Sequence, residues 1–244
     1  MEHIENACSL LYPEKCCQDV LFRYTINSDC YKLILVKTLG YGIIFASTLV
    51  KLPQILVLLS AKSGAGVSLF SVFLELLALT LTSSYSLAKS FPLSAWGEAL
   101  FLLIMTTLVA FLIVKFDQSS SRAYAFLITF GTIVYIFMSG FVPVHILWTL
   151  QVFNVPLIIS SKMVQAWANF QNGHTGNLSA ITVVLVFLGS ITRIFTSISE
   201  TGDKVIILSY ALSSVANAIL VLQIIAYRNK TKIFKEKVLS KKIK

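Results

Sequence analysis

The stretch that decides the fold is Val36–Leu59, which reads VKTLGYGIIFASTLVKLPQILVLL. It carries only two charges, Lys37 and Lys51, and ~20 mostly apolar residues are enough to cross ~30 Å of hydrocarbon as a helix. Backbone N–H and C=O groups inside a bilayer must find their partners within the segment, which favours a helix over irregular structure. The stretch therefore predicts a transmembrane helix.

The rest of the chain repeats this pattern. Six further windows are long and apolar: Leu69–Leu87, Trp96–Phe116, Tyr124–Val142, Val144–Val164, Leu178–Ser197 and Val205–Tyr227. The 244 residues are 56% hydrophobic and 13% charged, whereas a soluble domain has about 25% charged residues. No window shows the period-two alternation of a membrane β-barrel. The sequence predicts an all-α membrane protein with seven transmembrane helices.

Charge predicts the orientation. The net charge is +9, and residues 228–244 hold eight Lys or Arg against Glu236. Beside a transmembrane helix, such a run indicates a cytosolic tail rather than a nucleic-acid site. Seven crossings then place the N-terminus in a lumen, and the cytosolic connections carry Lys62, Lys115, Arg122 and Lys162. The sequons at Asn177 and Asn229 fall on the cytosolic side, so we expect neither to be glycosylated.

All four cysteines, Cys8, Cys16, Cys17 and Cys30, lie before the first window. A lumenal location permits disulfides, and four cysteines allow three complete pairings. Adjacent Cys16 and Cys17 make a poor pair. Either Cys8 and Cys30 each bridge to one of them, or the segment holds free thiols or a single bridge.

Two prolines suggest an internal repeat. Pro53 and Pro156 each precede a Gly-rich loop that leads to a Ser-led helix, at Ser68 and Ser179. The two serines lie farther apart in the sequence than the two prolines do, which predicts about eight extra residues in the second half. Three-helix repeats around one spacer helix run parallel, related by an axis along the membrane normal. The predicted parts are a lumenal segment (1–35), a first three-helix repeat (36–116), a spacer helix (117–143), a second repeat (144–227) and a basic cytosolic tail (228–244).

These residues carry a family resemblance. Pro53-Gln54 near the cytosolic end of a helix, duplicated around a spacer helix, resembles the PQ-loop family, which includes the SWEET sugar carriers. Leu157 follows the second proline instead of glutamine, which departs from the two-motif pattern. Several blocks are similar to the branch of the family concerned with mannose-P-dolichol utilization: Leu49–Leu76, Ser94–Leu102, Asn172–Thr182, Gly189–Ser197 and Glu200–Asp203.

The resemblance implies a function in the endoplasmic reticulum membrane. It implies that the protein makes dolichol-phosphate-mannose and dolichol-phosphate-glucose usable by lumenal glycosyltransferases, for N-glycans, GPI anchors and other mannosylation. Lys241 and Lys242 look like a cytosolic dilysine signal that a retrieval coat reads. The expected partners are therefore these two lipid-linked sugars, membrane lipid and the coat.

Polar residues within the windows are the candidate ligands. We hypothesise a groove for the sugar-phosphate headgroup, with the polyprenyl tail left in lipid. Amides and carboxylates bind sugar hydroxyls, and cations bind phosphate. The groove candidates are Gln54, Glu75, Asn154 and Asn217, with Lys51 or Arg193 at the phosphate. Each has a structural alternative: Lys51 and Glu75 as an interhelical tie, the amides as helix bridges, and Arg193 as a snorkelling side chain.

The two prolines have a separate candidate role. Proline in a membrane helix removes one backbone hydrogen bond, so Pro53 and Pro156 are candidate hinges, with static kinks as the alternative.

Signatures of catalysis are missing from the sequence. His3, His145 and His174 are scattered, with no metal-ligand spacing, paired carboxylates or nucleophile elbow. We expect no enzyme activity, metal or cofactor. Two rival functions stay open: a carrier of a free sugar or an amino acid, and a lipid-organising chaperone that moves nothing.

Overall fold

A computed structural model describes residues 8, 12, 16, 17, 28–64, 67–175 and 180–233. Within this part of the chain, all seven long helices have the length and apolarity to cross a membrane. They are α1 (Ser28–Ala61), α2 (Leu69–Ala88), α3 (Leu93–Asp117), α4 (Ser120–Met138), α5 (Val144–Asn172), α6 (Ala180–Glu200) and α7 (Lys204–Ala226). The predicted all-α class, with seven transmembrane helices, is confirmed.

Helix ends depart from the apolar windows where the chain continues as helix beyond its apolar part. Helix α1 begins at Ser28, eight residues before its window, and α5 continues to Asn172 rather than ending at Val164. Hydropathy marks the segment that suits hydrocarbon, whereas a helix ends where the backbone turns. The break between α4 and α5 falls at residues 139–143, where Gly140 has φ +85°.

Among the described residues, three helices begin with a side-chain cap. Ser68 accepts a hydrogen bond from the Ser71 amide at the start of α2, and Ser119 accepts one from the Arg122 amide at the start of α4. Asp203 accepts from two amides at the start of α7. Each cap satisfies donors that the first turn leaves unpaired, which fixes where these helices begin.

The chain divides into two compact units. The first unit comprises Met1–Thr149 with Ser199–Thr201, and the second comprises Leu150–Ile198 with Gly202–Lys244. The core of the first unit lies among α1, α2 and α3, with α4 packed against it. The buried cluster of the second unit joins Ala166, Val183 and Leu220, from α5, α6 and α7.

Small residues let α1 and α3 approach closely in the first unit. A Cβ atom at Gly40 would meet the Ser94 carbonyl oxygen below contact distance, and one at Gly97 would lie 2.6 Å from Cδ1 of Ile44. Close approach through small residues is how membrane helices gain van der Waals contact, since lipid supplies no hydrophobic drive between them.

Two disulfides link the N-terminal segment. Cys8 bridges to Cys17 and Cys16 bridges to Cys30, with Cα–Cα distances of 5.9 and 5.6 Å. This is one of the arrangements in which Cys8 and Cys30 each bridge to the adjacent pair. Since Cys30 lies in α1, the second bridge ties the segment to the first helix.

The two halves of the chain repeat at one constant interval along the sequence. The interval from the end of α1 at Ala61 to the end of α5 at Asn172 also separates the start of α2 from that of α6, and the start of α3 from that of α7. We call this interval the repeat spacing. It also separates Lys62 from Gly173, the residues after each first helix, which have left-handed backbones with φ 48° and 65°. The prediction of two three-helix repeats around a spacer helix, α4, is confirmed.

The prolines do not follow the repeat spacing. Pro53 lies eight residues before the end of α1, whereas Pro156 lies sixteen residues before the end of α5. The position equivalent to Pro53 is therefore Val164. The expected eight extra residues in the second half are wrong, because matching the two prolines misaligned helices whose ends keep the same spacing. A hinge role for either proline remains a prediction.

Candidate functional site

An ion pair lies within the transmembrane helices of the first unit. Lys51 of α1 contacts Glu75 of α2, with Nζ 2.8 Å from Oε2, and their side chains are 13% and 39% exposed. Glu75 is six residues into α2, ~9 Å along the axis. An isolated charge at this depth is costly, so each side chain lowers the cost of the other. The structure thus brings together the two charges that the sequence suggested as partners.

Gln54 lies beside this pair on α1. It is half-buried and follows Lys51 by three residues, about one helical turn, so both side chains share a face of α1. The intervening Pro53 removes the amide that would otherwise donate to the Leu49 carbonyl. A cation, a carboxylate and an amide therefore lie close together within the helices of this unit.

The second unit contains a network centred on Asn217. This α7 residue is 2% exposed. Its Oδ1 accepts a hydrogen bond from Nζ of Lys162 on α5, and its Nδ2 donates to Oγ of Ser190 on α6 at 3.4 Å. Asn217 therefore bridges three helices, which is the structural role that the sequence offered as an alternative to ligand binding. Its side-chain amide contacts the Lys162 ammonium group.

The position of Lys162 corrects an expectation. The sequence predicts that it lies in a cytosolic connection, but Lys162 lies inside α5, ten residues before the helix ends. The window closed near Lys162 because hydropathy falls there, whereas the helix continues to Asn172. Its pairing with Asn217 depends on how the helices face one another, which hydropathy does not report.

A pair of side-chain amides in the second unit was not predicted from the sequence. Asn169 Nδ2 on α5 donates to Gln223 Oε1 on α7 at 3.0 Å, and Gln223 Nε2 donates to the Ala166 carbonyl at 2.7 Å. Polar amides inside apolar helices are the available signal, since such groups need a partner in hydrocarbon. They join α5 to α7 one turn and more beyond Lys162.

Aligning the two halves by the repeat spacing shows a recurring motif that aligning them by the prolines does not show. Lys162 and Gln165 follow Lys51 and Gln54 by this same interval. The motif Lys51-Leu-Pro-Gln54 therefore recurs as Lys162-Met-Val-Gln165, with valine in place of proline. Leu157 follows Pro156, but the residue equivalent to Gln54 by the repeat spacing is Gln165.

The two lysines differ in what they contact. Lys51 faces a carboxylate on the second helix of its half, whereas Lys162 faces a neutral amide on the third helix of its half. A carboxylate neutralises a lysine and an amide does not. The two motifs therefore differ in the partner of their lysine.

One loop contact recurs in both halves. The Gly64 amide donates to Oδ1 of Asp117 at 2.7 Å, and the Thr175 amide, at the equivalent position of the second half, donates to Oγ1 of Thr231 at 3.0 Å. A Cβ at Gly64 would meet the Asp117 carboxylate below contact distance, so that side chain would have to move. In each half, the loop after the first helix is fastened at or just beyond the end of the third helix.

The other two predicted ligands of the second unit, like Asn217, are buried. Asn154 on α5 is 1% exposed and Arg193 on α6 is 3% exposed. Arg193 lies seven residues before the end of its helix, ~10 Å along the axis. Its burial does not fit a side chain that snorkels to the interface. A role for either residue in ligand binding remains a prediction.

A polar contact joins α3 to the end of α6 in the first unit. Ser94 Oγ donates to Oε1 of Glu200, the last residue of α6. Ser94 is also the residue whose carbonyl packs on Gly40. Glu200 lies three residues beyond the predicted window that ends at Ser197, so the sequence did not predict this contact.

Several remaining predictions fall at the edges of the structure. Lys241, Lys242 and Asn177 lie outside the described residues, and Asn229 is exposed in a helical turn after α7. No group of three His, Cys, Asp or Glu residues is placed to hold a metal ion in the described ranges.

Comparison with known proteins agrees with the repeat. The family model described as "PQ loop repeat" matches residues 35–95 and 146–206, two ranges whose starts are again separated by the repeat spacing. The human protein "Solute carrier family 66 member 3" is 27% identical over 181 residues, covering 73% of this chain and 87% of the relative. The two matched ranges together cover half of the chain, which therefore belongs to the PQ-loop repeat family.

Proposed function

We propose that this multi-pass membrane protein makes dolichol-phosphate-mannose and dolichol-phosphate-glucose usable as lumenal donors for N-glycans, GPI anchors and other mannosylation. It acts on these lipids by presenting or flipping the headgroup and catalyses no sugar transfer. The choice of substrates comes from the resemblance of sequence blocks to the mannose-P-dolichol utilization branch of the family. The observation that supports a site for them is the lysine and glutamine that recur, one turn apart, inside the first helix of each half.

The chemistry of these residues suits a sugar phosphate. Lysine binds phosphate oxygens as a point charge, and glutamine offers both a donor and an acceptor to sugar hydroxyls. Ionisable residues inside transmembrane helices are costly and commonly mark a substrate pathway. In the proposal, the candidate contacts of the sugar are Gln54 and Glu75 in the first unit, and Asn154 and Asn217 in the second. The candidate contact of the phosphate is Lys51 in the first unit or Arg193 in the second.

Re-expression in cells that lack the protein tests this site. We expect Gln54→Ala and Gln165→Ala to restore GPI-anchored proteins at the cell surface poorly, at normal protein levels. The matched control is Gln171→Ala, since Gln171 is exposed and lies on α5 beyond the motif. Full rescue by both site variants at equal abundance contradicts the proposed site.

Location in the endoplasmic reticulum, with a lumenal N-terminus and a cytosolic C-terminus, is part of the proposal. It is supported by the basic tail and the dilysine at Lys241 and Lys242. Replacing both lysines with serine should move the protein to later secretory compartments. An unchanged reticular distribution of this variant would remove the retrieval coat from the list of partners.

The second candidate function is transport of a free solute. It is favoured by the relative whose printed name is a solute carrier. Uptake of radiolabelled sugars or amino acids into sealed vesicles that contain the purified chain tests it. Saturable uptake that Gln54→Ala abolishes would favour a carrier over the lipid-linked substrates.

A further inference from the structure

An apolar groove runs between α3 and α4 in the first unit. It has a volume of about 460 Å³ and is lined on α3 by Leu103, Leu108 and Phe111 and on α4 by Phe130 and Val134, among others. The hydroxyl of Thr107, which also lines it, donates to the carbonyl of Leu103 at 2.7 Å. The donor of this hydroxyl is therefore satisfied within α3.

The groove is elongated along the helix axes. Its lining on α3 extends from Leu100 to Phe111, ~16 Å at the rise of an α-helix. This is about half of the ~30 Å hydrocarbon thickness, which suits a hydrocarbon chain lying along the helices. Gly131 forms part of the wall, and a Cβ there would meet nothing within 4 Å, so the glycine leaves additional width.

Positive charge lies at one end of the groove. Lys115 follows Phe111 by one turn, and its Nζ lies 5.9 Å from the centre of the Phe111 ring. Arg122 lies in the first turn of α4, where it donates to the Gln118 side chain at 3.4 Å. The nearby acid, Asp117, accepts a hydrogen bond from the Gly64 amide. The two exposed cations outnumber this acid.

We propose that the α3–α4 groove is a binding position for a polyprenyl phosphate that is separate from the proposed headgroup site, with the tail in the groove and the phosphate at Lys115 and Arg122. This inference rests on the proposed function for the polyprenyl class of lipid. A volume of about 460 Å³ spread along ~16 Å of α3 suits one hydrocarbon chain. Lys115 lies one turn beyond the last lining residue of α3, and Arg122 lies five residues before the first lining residue of α4. A polyprenyl phosphate is a single chain with phosphate at its end, whereas a glycerophospholipid has two chains and a glycerol spacer.

Photolabelling of the full-length chain tests the groove. The chain is reconstituted in phosphatidylcholine vesicles with a polyprenyl phosphate that carries a diazirine in its tail, and labelled peptides are mapped by mass spectrometry. We expect label on α3 and α4. Gly131→Phe fills the groove and should reduce labelling by about tenfold. Its matched control is Gly42→Phe, because Gly42 is also an exposed helical glycine with no atom within 4 Å of an added Cβ.

Further variants and competitors complete the test. Ile104→Trp blocks the opposite wall at a side chain that is 57% exposed, which keeps the test valid if Gly131→Phe folds poorly. Lys115→Gln and Arg122→Gln should each weaken labelling about fivefold. Unlabelled polyprenyl phosphate should compete, whereas polyprenol and phosphatidic acid should not.

The groove proposal and the proposed function can fail separately. Label outside α3 and α4, equal labelling of the blocked variants, or equal competition by phosphatidic acid overturns the groove. Groove labelling as expected, in a chain whose loss leaves donor use normal in cells, supports the groove and refutes the proposed function.

Discussion

The ion pair between Lys51 and Glu75 should couple the stabilities of α1 and α2. We consider Lys51→Met and Glu75→Met, singly and together, because methionine keeps the length of both side chains and removes their charge. Removing one partner of a fully buried pair costs about 3–5 kcal/mol, and removing one of an exposed pair costs about 0–1 kcal/mol. The pair lies between these limits, with side chains 13% and 39% exposed.

The exposures make the two single variants unequal. Glu75→Met leaves the more buried Lys51 without a counter-ion, for which we expect a loss of about 2–3 kcal/mol. Lys51→Met leaves a carboxylate that is 39% exposed and better solvated, for which we expect about 1–2 kcal/mol. The double variant removes both charges, so its loss should be about 1–2 kcal/mol smaller than the sum of the single losses.

Unfolding of the purified chain in mixed micelles measures this coupling. The four proteins are compared by denaturant titration, with free energies from the linear dependence on denaturant. A coupling energy below about 0.5 kcal/mol, or a larger loss for Lys51→Met than for Glu75→Met, refutes the reasoning that the pair offsets charge within the transmembrane helices.

Three further changes test other contacts. Gly40→Leu should abolish folding, because a side chain there collides with the Ser94 carbonyl, whereas Gly42→Leu should fold; size-exclusion profiles in detergent distinguish them. Asp117→Ala should speed hydrogen exchange of the Gly64 amide by about tenfold, because this amide loses its acceptor. Unchanged exchange would show that this hydrogen bond does not hold the loop. Asn217→Leu should cost about 1–3 kcal/mol, because it strands Lys162 among apolar side chains; adding Lys162→Met should recover part of this, and no recovery in thermal unfolding would contradict the contact.

Much of the fold follows from the sequence because a bilayer imposes strong constraints. Each apolar run long enough to cross hydrocarbon must be a helix, so windows such as Val36–Leu59 identify the seven helices without tertiary information. The pairing of Lys51 with Glu75 was also foreseeable, since two opposite charges within adjacent helices are stabilised by meeting.

The internal register was ambiguous in the sequence, because the two prolines and the two serines give different intervals, and only Ser68 and Ser179 lie one repeat spacing apart. Proline is tolerated at many depths in a membrane helix, so Pro53 and Pro156 did not mark equivalent positions. Helix ends do mark them, and they depend on backbone conformation at residues such as Lys62 and Gly173. Only with that register does Gln165 become the counterpart of Gln54.

The polar networks of the second unit also required the structure. Asn217, Gln223 and Lys162 sit on separate helices, or separate turns of one helix, and their pairing depends on the rotation of each helix about its axis. Apolar residues surround the helices of this chain on most sides, so hydropathy does not define which face is turned inward.

The central claim is that this protein enables use of dolichol-linked sugars rather than their synthesis. The most direct test profiles lipid-linked oligosaccharides, together with the pool of dolichol-phosphate-mannose, in cells that lack the chain, with and without its re-expression. We predict stalling before lumenal mannose addition, with dolichol-phosphate-mannose still present and a normal profile restored on re-expression. A normal oligosaccharide profile in cells that lack the chain would contradict the claim and favour a carrier of free solutes.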